Sequence, residues 1–305
     1  MPNKLYLECY SGISGDMTVA ALLDLGADQQ VLLEGLESLN LPGYQLKIGR
    51  VKKNGIDACD FDVILDEPEH HQDHEHGHDH DHEHEHHHDH EHEHHHEHEH
   101  EHHHDHEHEH HHDHEHHHDH DHDHDHEHHH HHDHVHRNIG DIFAIIDQSK
   151  ISDRAKQTAK DIFRIIAAAE SKAHGIAEDQ VHFHEVGAVD SIVDIVSAAI
   201  CLDNLDITEA VVSDLYEGCG YVHCQHGLMP VPVPAVVNIA ADNALRLRLT
   251  QTRGEMITPT GAAIAAYLSK GGKLPESFVI EKIGLGAGKK DFATANILRA
   301  FLIRD

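Results

Sequence analysis

Five side chains able to bind a metal ion fall within thirteen residues of this chain: His182, His184, Glu185, Asp190 and Asp194. An extended backbone at the first of them points His182 and His184 to one face. Asp190 and Asp194 stand four apart, so a helix carries them on one side. Two imidazoles with carboxylates can hold a divalent ion and still leave positions open for a substrate. Any one of the five taken alone could be a satisfied polar contact. Five together, in a segment whose other members are mostly apolar, favour a metal site. The helical H-E-x-x-H spacing is missing, which disfavours metalloprotease chemistry.

Four other constellations could assist such a site. The run Glu8–Met17 reads as a strand, a glycine turn and a helix start. Backbone N–H groups at Gly12, Ser14 and Gly15, with the positive helix end, suit a phosphate, and Asp16 could hold an ion that bridges to it. The Gly-Lys-Ser/Thr ending of a Walker A loop is absent. An ordinary turn in which Asp16 complements the helix dipole is the plainer reading. Cys219, His223, Cys224 and His226 are soft-ligand candidates whose spacing matches no standard zinc knuckle. Alternation of Val222, Cys224 and His226 on one face would leave His223 on the other, so a single site using all four is disfavoured and His226 is the candidate functional residue. Thr258 and Thr260 can cap a helix and offer a second anion site, or serve as a cap alone. The glycines of Gly284–Lys290 read as a nest for phosphate or carboxylate with Lys289 beside it, or as a plain hairpin turn.

The most conspicuous stretch, residues 70–136, holds 41 of the chain's 46 histidines and 23 acidic residues, with only Gln72, Gly77 and Val135 besides. Nothing in it can offset the entropy of ordering, so it is expected to be disordered without metal. Imidazole suits Ni, Cu and Zn, and carboxylates add harder oxygens, so the tract is read as a metal buffer. It does not identify the metal, because nitrogen ligands favour Cu²⁺ over Ni²⁺. Of the formal charge of −34, the tract carries 23 negative units and leaves −11 for the rest. That balance argues against nucleic acid as a partner. No apolar run approaches the ~20 residues of a membrane helix. Five cysteines and no signal peptide read as a reduced, cytoplasmic protein.

The elements that must position these groups follow from local rules. A strand over Lys4–Cys9 leads to a helix over Met17–Leu25 that Gly26 stops, then a second helix over about Asp28–Leu39. Tyr44–Lys53 and Ile56–Leu65 flank Asn54-Gly55, a strong hairpin signal. Asn138 caps a short helix. Ser152 caps a longer one with a stripe of Ala155, Ala159, Ile162, Ile166, Ala169 and Ala173, ended by Gly175. A helix over Ala188–Leu202 carries the two aspartates. Ala210–Ser213 and Gly218–Cys224 read as extended, Pro234 as a helix start, and Thr260–Ser269 as a helix. Phe278–Ile283 and Asn296–Ile303 read as strands around a glycine loop. The fold class is α/β, a mixed sheet with flanking helices interrupted by the long His/Asp/Glu-rich insertion. Residues 1–69 and 137–305 form the two parts of one catalytic domain, and 70–136 is the insertion.

The loop Gly12–Met17, the run His182–Asp194, the stretch His226–Pro234, Thr258–Gly261 and the loop Gly284–Lys289, in this order, resemble the nickel-insertion family of nickel-pincer nucleotide biosynthesis (the LarC family). The resemblance spans nearly the whole folded chain, and the His-rich insertion is also family-like. It implies an enzyme, a CTP-dependent nickel chelatase or cyclometallase of the lyase class. The implied reaction inserts Ni²⁺ into pyridinium-3,5-bisthiocarboxylic acid mononucleotide, giving the cofactor of lactate racemase. It further implies CTP and a second divalent ion, Mn²⁺ or Mg²⁺. On this reading Asp16, His182, His184, Glu185, Asp190 and Asp194 take metal. Gly12, Ser14, Gly15, Thr258, Thr260 and Lys289 contact the nucleotide, and His226 or Glu185 is the base that accepts the ring proton. Full-length relatives continue into a further C-terminal nucleotide-binding domain, so a partner chain or readthrough product is expected to supply it, with lactate racemase as recipient of the product. The competing readings are a non-enzymatic nickel store or metallochaperone, which needs only the tract, and a metal-dependent phosphohydrolase using the carboxylates.

Overall fold

The computed structural model describes residues 3–66, 137–181, 189–224 and 226–304. These belong to one compact unit, Met1–Pro68 with His134–Asp305. The tract at 70–136, and residues 182–185 of the short extended segment expected over Val181–Glu185, lie outside the described residues.

Strand β1 (Asn3–Glu8) feeds helix α1 (Gly15–Leu25), which Gly26 ends with φ +114°. Helix α2 (Gln29–Glu37) starts where the Asp28 carboxylate accepts from the Gln30 and Val31 amides. Strands β2 (Tyr44–Lys53) and β3 (Ile56–Leu65) pair antiparallel in continuous register from Tyr44↔Leu65 to Lys53↔Ile56. Asn54 and Gly55 both have positive φ between them, the signature of a type I′ turn. Asn138 and Asp141 form a reciprocal capping box on α3 (Ile139–Gln148). Ser152 caps α4 (Asp153–His174), and Gly175 closes it in the left-handed conformation. Helix α5 (Val189–Asn204) then leads to β4 (Ile207–Val212).

The second half departs from the expected pattern in three places. The extended segment at 218–224 is two strands, β5 (Leu215–Cys219) and β6 (Tyr221–Cys224), because Gly220 at φ +95° breaks the run. Strand β6 pairs with β7 (Gly227–Pro230) across a two-residue turn that holds His226. After α6 (Pro234–Asp242), an unexpected strand β8 (Leu247–Arg253) pairs parallel with β5. Helix α7 (Pro259–Leu268) begins at a Thr258 cap. Strand β9 (Val279–Ala287) runs on through the glycines expected to form a loop, and β10 (Ile297–Arg304) follows.

The six-stranded mixed sheet has the order β2-β3-β9-β10-β1-β4, with β1 parallel to β4 and antiparallel to β10. Leu5, Leu7, Leu298, Ala300 and Phe61 face the helices and share one core with α1, α4, α5 and α7. The opposite sheet face has a smaller cluster, Tyr6, Val211, Phe301 and Ile303, against which Phe278 packs. In α4 the apolar stripe is buried from Ala155 to Ala169, but Ala173 is exposed. Among the described residues no helix is long and apolar enough to cross a membrane.

Strand β9 explains its own glycines. A Cβ on Gly286 would lie 2.0 Å from the Met17 carbonyl oxygen, and one on Gly284 2.2 Å from that of Ala21. Helix α1 therefore rests directly on the strand backbone, which only glycine permits. Gly286→Ala is expected to lower stability by about 3 kcal/mol through forced separation of α1 and β9. Gly49→Ala on β2, where nothing lies within 4 Å of the added methyl, should be near neutral. Urea midpoints of the two variants decide it, and equal midpoints would contradict this account.

Candidate metal and nucleotide site

Two loops are stitched together at one end of the sheet. Ile13 donates its amide to the Met256 carbonyl at 3.0 Å, and Thr258 donates its amide to the Ile13 carbonyl at 3.1 Å. Glu217, fully buried in the middle of β5, holds the second loop from behind. Its Oε1 accepts the amides of Gly218 (2.7 Å), Met256 (2.7 Å) and Ile257 (3.2 Å). The stitch sets the start of α1 beside the start of α7. The starts of α5 and α6 reach the same place, so four helix N-termini line one cavity of about 720 Å³. Ser14, Gly15 and Asp16 represent α1, Asp190 and Ser191 α5, Pro234 and Ala235 α6, and Thr258 to Thr260 α7. Unpaired amides and helix dipoles at these ends favour negative charge.

Carboxylates stand in that anion-favouring space. Asp194 presses on α1 so closely that a Cβ on Gly15 would sit 2.4 Å from its Oδ2. It accepts the Asp16 backbone amide. Burial raises its pKa well above the usual carboxylate range, and the charges of Asp16 and Asp190 add to the rise. Burial also raises Asp190 and Asp16. Asp16 is partly compensated by the Ser14 hydroxyl, which donates to its Oδ1, and by the Met17 amide and Lys289. Asp190 Oδ1 and Asp194 Oδ1 are buried and have no hydrogen-bond partner among the described residues. Buried acceptors without donors cost free energy that a cation would recover. Lys289 forms ion pairs with Asp60 (2.8 Å) and Asp62 (3.2 Å). Burial alone would lower its pKa, but these two carboxylates hold the ammonium above its usual value.

The structure brings together Ser14, Gly15, Asp16, Asp190, Asp194, His226, Thr258, Thr260 and Lys289 around the cavity. Thr258 is the cap of α7, accepting from the Gly261 amide at 3.1 Å, while Thr260 is buried in its first turn. Gly12 does not line the cavity. Its amide bonds the Cys9 carbonyl, and a Cβ there would meet the Met256 oxygen at 2.0 Å, so close packing accounts for it. Gly284 and Gly286 form no anion nest, since they seat α1. Cys219 is absent from the wall, whereas His223 and Cys224 belong to it. His182, His184 and Glu185 lie outside the described residues. Among the described residues no group of three or more His, Cys, Asp or Glu side chains could by itself hold a metal ion. Residues missed in the sequence are His174, Glu170, Asp62 and Glu255, which line the cavity, and Glu217, which props the loop. No spacing rule marks them, because each is brought in by a different element.

The raised carboxylates make the metal-free fold pH-sensitive in a defined direction. A group that protonates more readily when folded stabilises the fold below its unfolded pKa, about 3.9 for Asp, and that stability is lost as pH rises through the folded value. Asp194→Asn should therefore raise the melting temperature of the metal-free chain at neutral pH, by about 2–4 °C per kcal/mol recovered at this size. The gain should vanish near about pH 3, below the unfolded pKa. Thermal melts across pH test this, and a lower melting temperature for the variant at neutral pH would contradict it.

Comparison with known proteins shows what the chain is similar to. It is 56% identical to the pyridinium-3,5-bisthiocarboxylic acid mononucleotide nickel insertion protein of Alkaliphilus metalliredigens, across 100% of this chain and 61% of that one. Proteins of the same name from Clostridium acetobutylicum and Acetivibrio thermocellus are 42% and 36% identical, each across 98% of this chain and 63% and 60% of theirs. The chain thus spans about three-fifths of the length of the curated relatives it matches. No solved structure matches it significantly. The profile of the nickel insertion protein family matches residues 5–305, and the chain belongs to that family.

Proposed function

We propose that this chain carries the nickel-inserting part of an enzyme acting on pyridinium-3,5-bisthiocarboxylic acid mononucleotide. The observation that carries the reading is the convergence of four helix N-termini on one cavity that also holds carboxylates and imidazoles. The substrate suits such a space: its phosphate and two thiocarboxylates are anionic, and Ni²⁺ must be brought to them. In the reaction both thiocarboxylate sulfurs bind nickel. A ring C–H bond breaks as the carbon–nickel bond forms, and the proton passes to a base. His226 and Glu185 are the candidates for that base. Ser14, Gly15, Thr258, Thr260 and Lys289 are the candidate contacts of the nucleotide.

The buried oxygens Asp190 Oδ1 and Asp194 Oδ1, which lack donors, and the Asp16 carboxylate on the same wall would supply part of an oxygen shell for Mg²⁺ or Mn²⁺, with nucleotide phosphates and water supplying the rest. An ion there would neutralise nucleotide phosphates such as those of CTP. We further propose that the His-rich residues 70–136 supply nickel. The part of the relatives that this chain does not span would complete the nucleotide site, and lactate racemase would receive the product. A pure nickel store would need the tract but not the built cavity, which is why the enzymatic reading is preferred.

The purified chain is to be mixed with Ni²⁺, Mg²⁺, CTP and the mononucleotide, with and without the C-terminal segment of a relative as a separate chain. Mass spectrometry should show the nickel adduct when the segment is added, and Asp194→Asn should reduce its rate about tenfold to a hundredfold. No adduct in any combination would overturn the proposal.

A further inference from the structure

Apart from the carboxylates, the cavity wall holds a pair of imidazoles that the sequence does not place together. His174 is the last residue of α4, and His226 sits in the turn between β6 and β7. Their ring centroids are 5.0 Å apart, with the planes inclined at 40°. Glu170, one turn earlier on α4, has its Oε2 3.4 Å from His174 Nε2. All three line the cavity.

The geometry has the form of two ligands sharing one ion. Metal–nitrogen bonds of about 2.0–2.1 Å bring two imidazole donors to roughly 3 Å from each other, which two rings at this spacing can reach. A carboxylate beside one ring nitrogen fixes where the proton sits and leaves the other nitrogen as donor. The location is favourable too. The C-terminal end of α4 is negative, whereas the helix ends beside the carboxylates are positive. A free cation and an anionic nucleotide would thus be drawn to different parts of one wall. The donors differ in the same sense, since imidazole nitrogen suits Ni²⁺ and carboxylate oxygen suits Mg²⁺ or Mn²⁺. Among the described residues no group of three or more candidate ligands closes around one point. A two-nitrogen site of this kind leaves coordination positions open for incoming sulfur, as a transfer site requires and a structural site does not.

We propose that His174 and His226 form a landing site for Ni²⁺ within the cavity, separate from the carboxylates, with Glu170 positioning His174. The choice of nickel rests on the proposed function. Under this assignment His226 is a metal ligand and the base role falls to another group.

The test uses the full chain and diethyl pyrocarbonate, which acylates imidazole nitrogens that carry no metal, with peptide mass spectrometry to read each histidine separately from the tract. At nickel beyond the capacity of the tract, acylation of His174 and His226 should slow by about tenfold or more, and Mg²⁺ should protect neither. His174→Gln should abolish protection at His226, and His226→Gln should abolish it at His174. Undiminished protection of His226 in the His174→Gln chain would overturn the proposal, as would equal protection by Mg²⁺. The readout needs no nucleotide and no second chain. Protection without insertion would therefore count against the enzymatic reading alone, and insertion without protection against this site alone.

Discussion

Helix α1 lies on β9 with no side chain between them at Gly284 and Gly286, and the position of the carboxylates at the cavity depends on that approach. Gly284 and Gly286 let the helix down onto the strand, and Gly15 lets α5 come up against its first turn. With α1 fixed from both sides, Asp194 has nowhere to go but the helix N-terminus. It takes the Asp16 amide there and becomes buried beside two other carboxylates. The stitch between Ile13 and the 256–258 loop brings α7 into the same space, and Glu217 holds that loop in place. Backbone contacts do this positioning, which leaves the side chains at the cavity available for chemistry.

The cavity is electrostatically unresolved as it stands. Helix ends favour negative charge, but burial and mutual repulsion disfavour the ionised carboxylates that occupy them. A cation resolves the conflict locally, and the helix ends it frees from the carboxylates' field can then turn to an anionic nucleotide. The imidazoles at the end of α4 add a donor of different chemical character on the same wall. On the proposed reading, one cavity would distinguish a hard ion, a nitrogen-seeking ion and an anionic substrate by position and donor type. That combination fits membership of the nickel insertion protein family.

Much of the scaffold was legible because its signals are local. Asn54-Gly55 requires positive φ and gave the hairpin in register. Asn138, Ser152, Gly26 and Gly175 marked helix ends by capping chemistry alone. The spacing of Asp190 and Asp194 put both on one helix face, and both line the cavity. What failed depended on distant contacts. A glycine run reads as a loop unless the helix seated on it is known, so β9 seemed to end at Ile283 when it continues to Ala287. Gly12 had the character of a phosphate turn, yet its partner is the Met256 carbonyl across 244 residues of sequence. Gly220 split a segment that alternation alone had joined. His174 had no local signal at all, since its partner in the turn at His226 is brought near only by the tertiary fold.

The central claim is that Asp190 and Asp194 each keep one buried oxygen without a donor, and that a hard divalent ion completes it. Melting the full chain as Mg²⁺ is raised, for the wild type and for Asp194→Asn, tests it most directly. Ions bound equally by folded and unfolded chain do not shift the melt, whereas ions bound only by the folded cavity do. The account predicts that Mg²⁺ raises the wild-type melting temperature and leaves that of Asp194→Asn unchanged. An equal rise in both chains, or none in the wild type, would contradict it.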